Sequence, residues 1–226
     1  MNDSLQSSCK DIVLIHGLYQ NSLVMKLLGR RLNAFGYKTH YFDYPTLKQD
    51  LSHNTSALKA YLREFKQPFV IIGHSLGCIL TLNTLHQESF PLLQSVIAIT
   101  PPFLGSRIVK YLSEHQSVFL IGKAQNALTP KDDSLSWDFS IPLGIIAGTQ
   151  NTGPSALLLE SLTNTIEKDS MISDGTVYLD ETRIKGFTDF ITLPKSHTMI
   201  LFDPTLPQLC DYFIQHHHFH SIVDLV

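Results

Sequence analysis

Val70-Ile71-Ile72-Gly73-His74-Ser75-Leu76-Gly77 runs an apolar stretch straight into a Gly-X-Ser-X-Gly turn. An apolar run of this length reads as a buried strand, and the pentad reads as the sharp bend that carries a strand into a helix. At such a bend the middle residue is held in a strained conformation, with its hydroxyl raised above the sheet edge. Glycines two before and two after remove the side chains that would collide across the turn. Ser75 then stands at a helix N-terminus, where unpaired backbone N–H groups can bind a developing oxyanion.

Outward from this point, strands and helices alternate. Asp11 to His16 is a short apolar run ending at Gly17 and reads as a buried parallel strand. Residues 21–35 place Leu23, Leu27, Leu28 and Leu32 at helical spacing, with Gly36 as the stop. Lys38 to Tyr44 is the next strand, closed by Pro45. An amphipathic helix is expected over residues 51–66, then the strand Phe69 to Ile72, the helix Gly77 to His86 and the strand Ser95 to Thr100. Ile141 to Ala147 and Phe190 to Leu193 read as further strands. A closing helix over residues 205–219 packs Leu206, Leu209, Cys210, Phe213 and Ile214. The pattern predicts an α/β fold, a mostly parallel sheet with helices on both faces.

The 226 residues suit one substantial core, so the expectation is a single domain over 1–226. Segment 103–140 interrupts the alternation. It holds Phe103, Leu104, Ile108, Val109, Tyr111, Leu112, Val118, Phe119, Leu120 and Ile121, more apolar surface than a connection needs. It reads equally as a small cap over the site or as a crossover packed on the sheet edge. A net charge of −3 without a basic block argues against a nucleic-acid partner. Cys9, Cys78 and Cys210 are odd in number and far apart, matching neither a disulfide framework nor a metal site. The N-terminus lacks a basic start followed by an apolar stretch, and no apolar run approaches a membrane span. The expectation is a cytoplasmic protein.

A serine hydroxyl becomes a nucleophile when a base about 3 Å away takes its proton and a third group orients that base. Of eleven histidines, His53, His86 and His115 fall in or near surface helices, and His216, His217, His218 and His220 lie past the closing helix. His197 follows the last strand in a turn, which is the context the base requires. The acid is sought between residue 147 and His197, among Glu160, Glu167, Asp169, Asp174, Asp180, Glu181 and Asp189. Asp174, in the tight turn Ser173-Asp174-Gly175-Thr176-Val177, heads the candidates, with Asp169 next; an Asx-turn explains Asp174 equally well. The order Ser, Asp, His is that of an α/β-hydrolase. Two main-chain donors are expected for the oxyanion, the N–H of Leu76 and that of Leu18, with the Tyr19 N–H as a neighbour. His16 reads as structural, a ring held under the site.

Taken together, these segments resemble α/β-hydrolases of the small bacterial lipase and esterase type, related in pattern to triacylglycerol lipases and to proteins that deacylate glycolipid anchors. Residues 11–18 resemble the oxyanion loop of that group, and Gly73 to Gly77 its nucleophile elbow. Thr100-Pro101 resembles the end of the following strand. Ser173 to Val177 resembles the turn bearing the acid, and Ser196-His197-Thr198 the segment of the catalytic histidine. The resemblance favours Asp174 as the acid. Three departures stand out: Pro102 where His is common, Ser173 where Asn is usual, and Cys78 where Gly is often found. The resemblance implies an esterase or lipase that forms an acyl-enzyme on Ser75 and needs neither cofactor nor metal. Its partner would be a small-molecule ester or lipid, met in solution or in transient contact with a membrane surface. Acyl transfer, thioester cleavage and lipid binding without catalysis are the alternatives. Tyr19, Phe103, Leu104 and Met199 flank the site in sequence and are expected at its apolar wall.

Overall fold

The computed structural model of the protein describes residues 9–114, 121–129, 135–153, 156 and 172–219. Six parallel strands form its sheet: β1 (Asp11–Ile15), β2 (Lys38–Phe42), β3 (Phe69–His74), β4 (Leu93–Ile99), β5 (Leu143–Gly148) and β6 (Asp189–Leu193). Their spatial order is β2-β1-β3-β4-β5-β6. The chain first builds outward from β1 to β2, then returns to place β3 on the other side. The two directions of growth diverge between β1 and β3, where an open parallel sheet leaves a crevice at its carboxyl edge.

Alternation along the strands fills both faces. Val13, Ile15, Ile71, Val96, Ala98 and Ile145 point into one apolar cluster, completed by α2 (Leu51–Leu62) and α3 (Leu76–Gln87). Ile12, Leu14, Val70, Ile72, Ile97 and Ile146 point into the other, completed by α1 (Lys26–Ala34) and α6 (Leu206–His216). Strands covered on both faces have no solvent side, which is why they read as unbroken apolar runs. Cys78 lies in the first cluster and Cys210 in the second. Both thiols are buried and free, and burial pushes each well above the ordinary thiol range.

The strand ends shift by one or two residues from the sequence expectation, and three helix boundaries differ more. The helix expected over 21–35 opens with a 3-10 turn, Ser22–Met25, capped by Asn21, whose side chain accepts the Leu23 N–H at 3.0 Å. The tighter winding advances each side chain further around the axis than an α-turn does. Met25 is therefore buried while Leu23 is 63% exposed. The helix expected to reach residue 66 ends at Leu62, where the Glu64 and Phe65 N–H groups close tighter turns onto Tyr61 O and Leu62 O. The closing helix stops at His216 because His217 turns left-handed at φ 59°. Phe219 then returns to the core, its N–H donating to Asp189 Oδ2 at 2.6 Å.

Segment 103–140 contains α4 (Arg107–Glu114), a 3-10 turn (Gly122–Ala124) and α5 (Gln125–Leu128). Ile121, Ala124, Ala127, Leu128 and Val109 join the same apolar cluster as α2 and α3. Val118, Phe119 and Leu120 lie outside the described residues. Among the described residues no helix is long and apolar enough to cross a membrane.

Candidate active site

The carboxyl ends of β1, β3, β5 and β6 deliver four loops to one point. At the end of β3, Ser75 takes φ 52° and ψ −120°, a conformation that costs a non-glycine residue about 1–3 kcal/mol. The bend is fixed on both sides. The Ser75 N–H donates to Ile99 O at 3.0 Å, and the Cys78 N–H donates to Ser75 O at 2.9 Å. Gly77 is required by close approach, since a Cβ there would stand 2.7 Å from both Ile15 O and His16 O. Leu76 is the first residue of α3, so its N–H has no acceptor within the helix.

After β6, His197 reaches back over the elbow. Its Nε2 lies 2.9 Å from Ser75 Oγ, and its Nδ1 lies 2.7 Å from Asp174 Oδ2. Asp174 is 1% exposed. Its other oxygen, Oδ1, accepts the N–H groups of Thr176 at 2.9 Å and Val177 at 2.8 Å. Asp174 thus closes the Asx-turn with one oxygen and leaves the other for the imidazole. The His197 N–H also donates to Asp174 O at 2.9 Å, which ties the two loops through their backbones. Ser173, where Asn is usual, keeps a polar acceptor in the turn: its hydroxyl takes the Gly175 N–H at 3.3 Å.

The competing carboxylates are committed elsewhere. Asp180 forms a two-point ion pair with Arg107, and Asp189 accepts the N–H groups of Phe190 and Phe219. Glu181 is buried, its oxygens accepting the Arg107 N–H at 2.7 Å and the Tyr178 N–H at 2.8 Å; burial pushes its carboxyl up to about 7. Glu160, Glu167 and Asp169 lie outside the described residues.

On the opposite side of Ser75, the loop after β1 brings Gly17 against the elbow, where a Cβ would stand 2.9 Å from Ser75 Cβ. Leu18 lines the space in front of the hydroxyl. Tyr19 also lines it, but its N–H is taken by Thr46 Oγ1 at 3.3 Å. His16 is buried and stacked on Tyr44 at 4.6 Å, its Nδ1 3.0 Å from Gly17 O, and the Tyr44 hydroxyl donates to His16 O. That is the structural role its position suggested.

The four loops open onto a cavity of about 550 Å³ that contains Ser75 and His197. Its far wall is apolar: Ile108, Val109 and Leu112 from α4, with Ile121, Leu128 and Val177. Three residues expected at the wall stand elsewhere. Phe103 is 1% exposed and turned into the core. Leu104 packs against the same core while its N–H donates to Glu181 O. Met199 is 57% exposed, one residue beyond Thr198, which does line the cavity. Adjacency in sequence to a catalytic motif does not set which way a side chain points. The signal that finds the true wall is the i, i+1, i+4 apolar stripe Ile108-Val109-Leu112 on one short helix. Gln20 and Glu181 also escape sequence reading, because each links a neighbour three residues away to a partner far along the chain. Gln20 joins Gly17 to His74, and Glu181 joins Tyr178 to Arg107.

The sequence profile of the alpha/beta hydrolase family matches residues 12–209. The chain belongs to that family. Among solved structures it is similar to the Bacillus licheniformis lipase BlEst2 in mature form, at 21% identity over 90% of this chain and 91% of that one, with a TM-score of 0.75. Phospholipase PlaB from Legionella pneumophila is 14% identical, with 84% of this chain and 53% of that chain covered and a TM-score of 0.65. A pyrethroid hydrolase from Sphingobium faniae JZ-2 is 14% identical over 92% and 98%, with a TM-score of 0.56. Identities this low carry the fold alone. No curated protein matches the chain by sequence.

Proposed function

We propose that this α/β-hydrolase cleaves carboxylic esters through an acyl-enzyme on Ser75, with His197 as general base and acid and Asp174 as its orienting carboxylate. The observation that carries the reading is the continuous path Asp174 Oδ2–His197 Nδ1, 2.7 Å, and His197 Nε2–Ser75 Oγ, 2.9 Å, ending at the mouth of an apolar cavity. The Nδ1–H donates to Asp174, which leaves the Nε2 lone pair to take the Ser75 proton as Oγ attacks the ester carbonyl. The carbonyl oxygen becomes an oxyanion held by the Leu18 and Leu76 N–H groups, each worth about 3 kcal/mol of transition-state stabilisation. Collapse of the tetrahedral species expels the alkoxide, which receives the proton from His197 Nε2. Water, deprotonated by the same nitrogen, then attacks the acyl-enzyme, and the carboxylic acid leaves.

The apolar wall built by α4, Ile121 and Leu128 favours an aliphatic acyl group. Residues 1–226 are read as one hydrolase domain in which α4 and α5, within segment 103–140, wall the acyl site.

The test is turnover of p-nitrophenyl acetate, butyrate, octanoate and palmitate by wild type and Ser75→Ala, with intact mass recorded after fluorophosphonate treatment. One adduct on Ser75, and a loss of roughly 10⁴-fold or more in kcat in the variant, are expected. A folded protein that turns over no ester and takes no adduct would overturn the reading in favour of lipid binding without catalysis.

A further inference from the structure

The loop after β1 and the loop carrying His197 approach Ser75 from opposite sides, and the fully buried ring of His74 lies between them. Its Nε2 is 2.9 Å from the main-chain carbonyl of His197, and its Nδ1 is 3.0 Å from Gln20 Oε1. That Gln20 oxygen also accepts the Gly17 N–H at 2.9 Å. Gly17 is pressed against the ring so closely that a Cβ would stand 2.9 Å from His74 Nδ1.

Both ring nitrogens therefore face carbonyl oxygens, and a neutral imidazole has one N–H to give. Only an imidazolium would satisfy both contacts. Burial, with His197 and His16 as the titratable neighbours acting in the same direction, pushes the ring down to about 3, so it is neutral at ordinary pH. The single proton must choose. The His197 carbonyl belongs to the main chain and cannot turn away, whereas the Gln20 amide can rotate or withdraw about its terminal torsion.

We propose that His74 is a positioning residue for the hydrolase chemistry, holding the His197 loop through Nε2–H while Gln20 forms the weaker, adjustable half of a tie to the proposed oxyanion loop. The inference rests on the functional reading above. It places a hydrogen bond to the base's backbone in the residue next to the nucleophile, so that elbow, base and oxyanion loop keep one relative geometry. Gln20 faces Nδ1 with a neutral oxygen. A carboxylate there would draw a second proton onto the ring and close both halves of the tie.

The experiment combines imidazole ¹⁵N NMR with kinetics on the full chain. Wild-type His74 is expected neutral with its proton on Nε2, and Gln20→Glu is expected to make the ring doubly protonated at pH 6. His74→Phe keeps the ring volume and removes the donor, and is expected to lower kcat about 10- to 100-fold with KM within threefold. His74→Gln puts an amide nitrogen where Nε2 stands and is expected to recover at least a third of the lost rate on a logarithmic scale. A wild-type proton on Nδ1, or a neutral ring in Gln20→Glu, overturns the proposal. So does a kcat within twofold of wild type in His74→Phe while Ser75 still takes the fluorophosphonate. Should His74→Phe fail to fold, the NMR of wild type and Gln20→Glu decides. If no ester is turned over and Ser75 takes no adduct, the hydrolase reading fails by itself, and the position of the ring proton still tests the tie.

Discussion

The two halves of the cavity are held in different ways. On the strand-end side, Ser75, Asp174 and His197 are fixed by main-chain hydrogen bonds: Ser75 to Ile99, Asp174 to Thr176 and Val177, His197 to Asp174. On the far side, the wall is a set of apolar side chains on α4 and α5, short helices that meet the rest of the fold through packing and a few polar points. Leu104 and Arg107 attach to Glu181, and the Arg107 guanidinium pairs with Asp180. Groups that must keep angstrom geometry hang on backbone, and groups that need only exclude water hang on side chains. Reaction and selectivity are therefore separable by substitution.

The largest expected effect breaks the reaction half alone. Asp174→Asn keeps the turn but leaves His197 without a charged acceptor. It should cost about 10⁴-fold in kcat with KM little changed, measured on p-nitrophenyl butyrate. A comparable loss appearing in KM would mean that Asp174 also shapes the wall.

Next comes Glu181, which joins the two halves. Its folded-state pKa is raised from 4.5 to about 7 by burial, so folding favours the protonated form. The stability this contributes is complete below about pH 4.5 and lost as pH rises through about 7. Glu181→Gln mimics the protonated acid and gives up one accepted N–H at every pH. Its stability relative to wild type should therefore climb between pH 4.5 and 7, by up to about 3 kcal/mol in denaturant titrations. A flat difference would show that the Tyr178 and Arg107 N–H donors and the Arg107 charge keep the carboxylate ionised against burial and the neighbouring Asp180.

The selectivity half is sharpened by Leu112→Ala. Shortening a wall residue should lower kcat/KM for octanoate by about tenfold and leave acetate unchanged. Equal losses on both esters would place Leu112 in the support of the reaction half. The smallest effect is expected of Arg107→Ala. Its partner Asp180 is 62% exposed, and such pairs contribute less than about 1 kcal/mol, so Tm should move by no more than a few degrees.

The same division governs what the amino-acid sequence discloses. The elbow is legible because its constraint is local: glycines at 73 and 77 and an apolar run before them suffice. The strands are legible because burial on both faces leaves them uniformly apolar. The acid is harder, since Asp174, Asp180 and Asp189 are equivalent until the fold shows which carboxylates already have partners. The wall is harder still. Phe103 and Leu104 adjoin Pro101-Pro102 at the end of β4, yet they turn inward, whereas α4 supplies the surface they were expected to provide. Leu23 has perfect helical spacing and is nevertheless exposed, because a 3-10 turn at the helix entry changes the phase. His74 is visible in sequence only as the variable position of the pentad, since its ties to Gln20 and His197 span 54 and 123 residues.

The two inner cysteines turn the sheet into an instrument for watching itself open. Cys78 lies under one face and Cys210 under the other, each a thiol that stays unreactive while buried. A small disulfide reagent in native buffer will modify each at the rate at which its own layer lets solvent in. Equal rates would mean that the layers part together, as one cooperative unit. Faster labelling at Cys78 would mean that the helices beside the cavity come away first, with the α1–α6 layer still closed over Cys210.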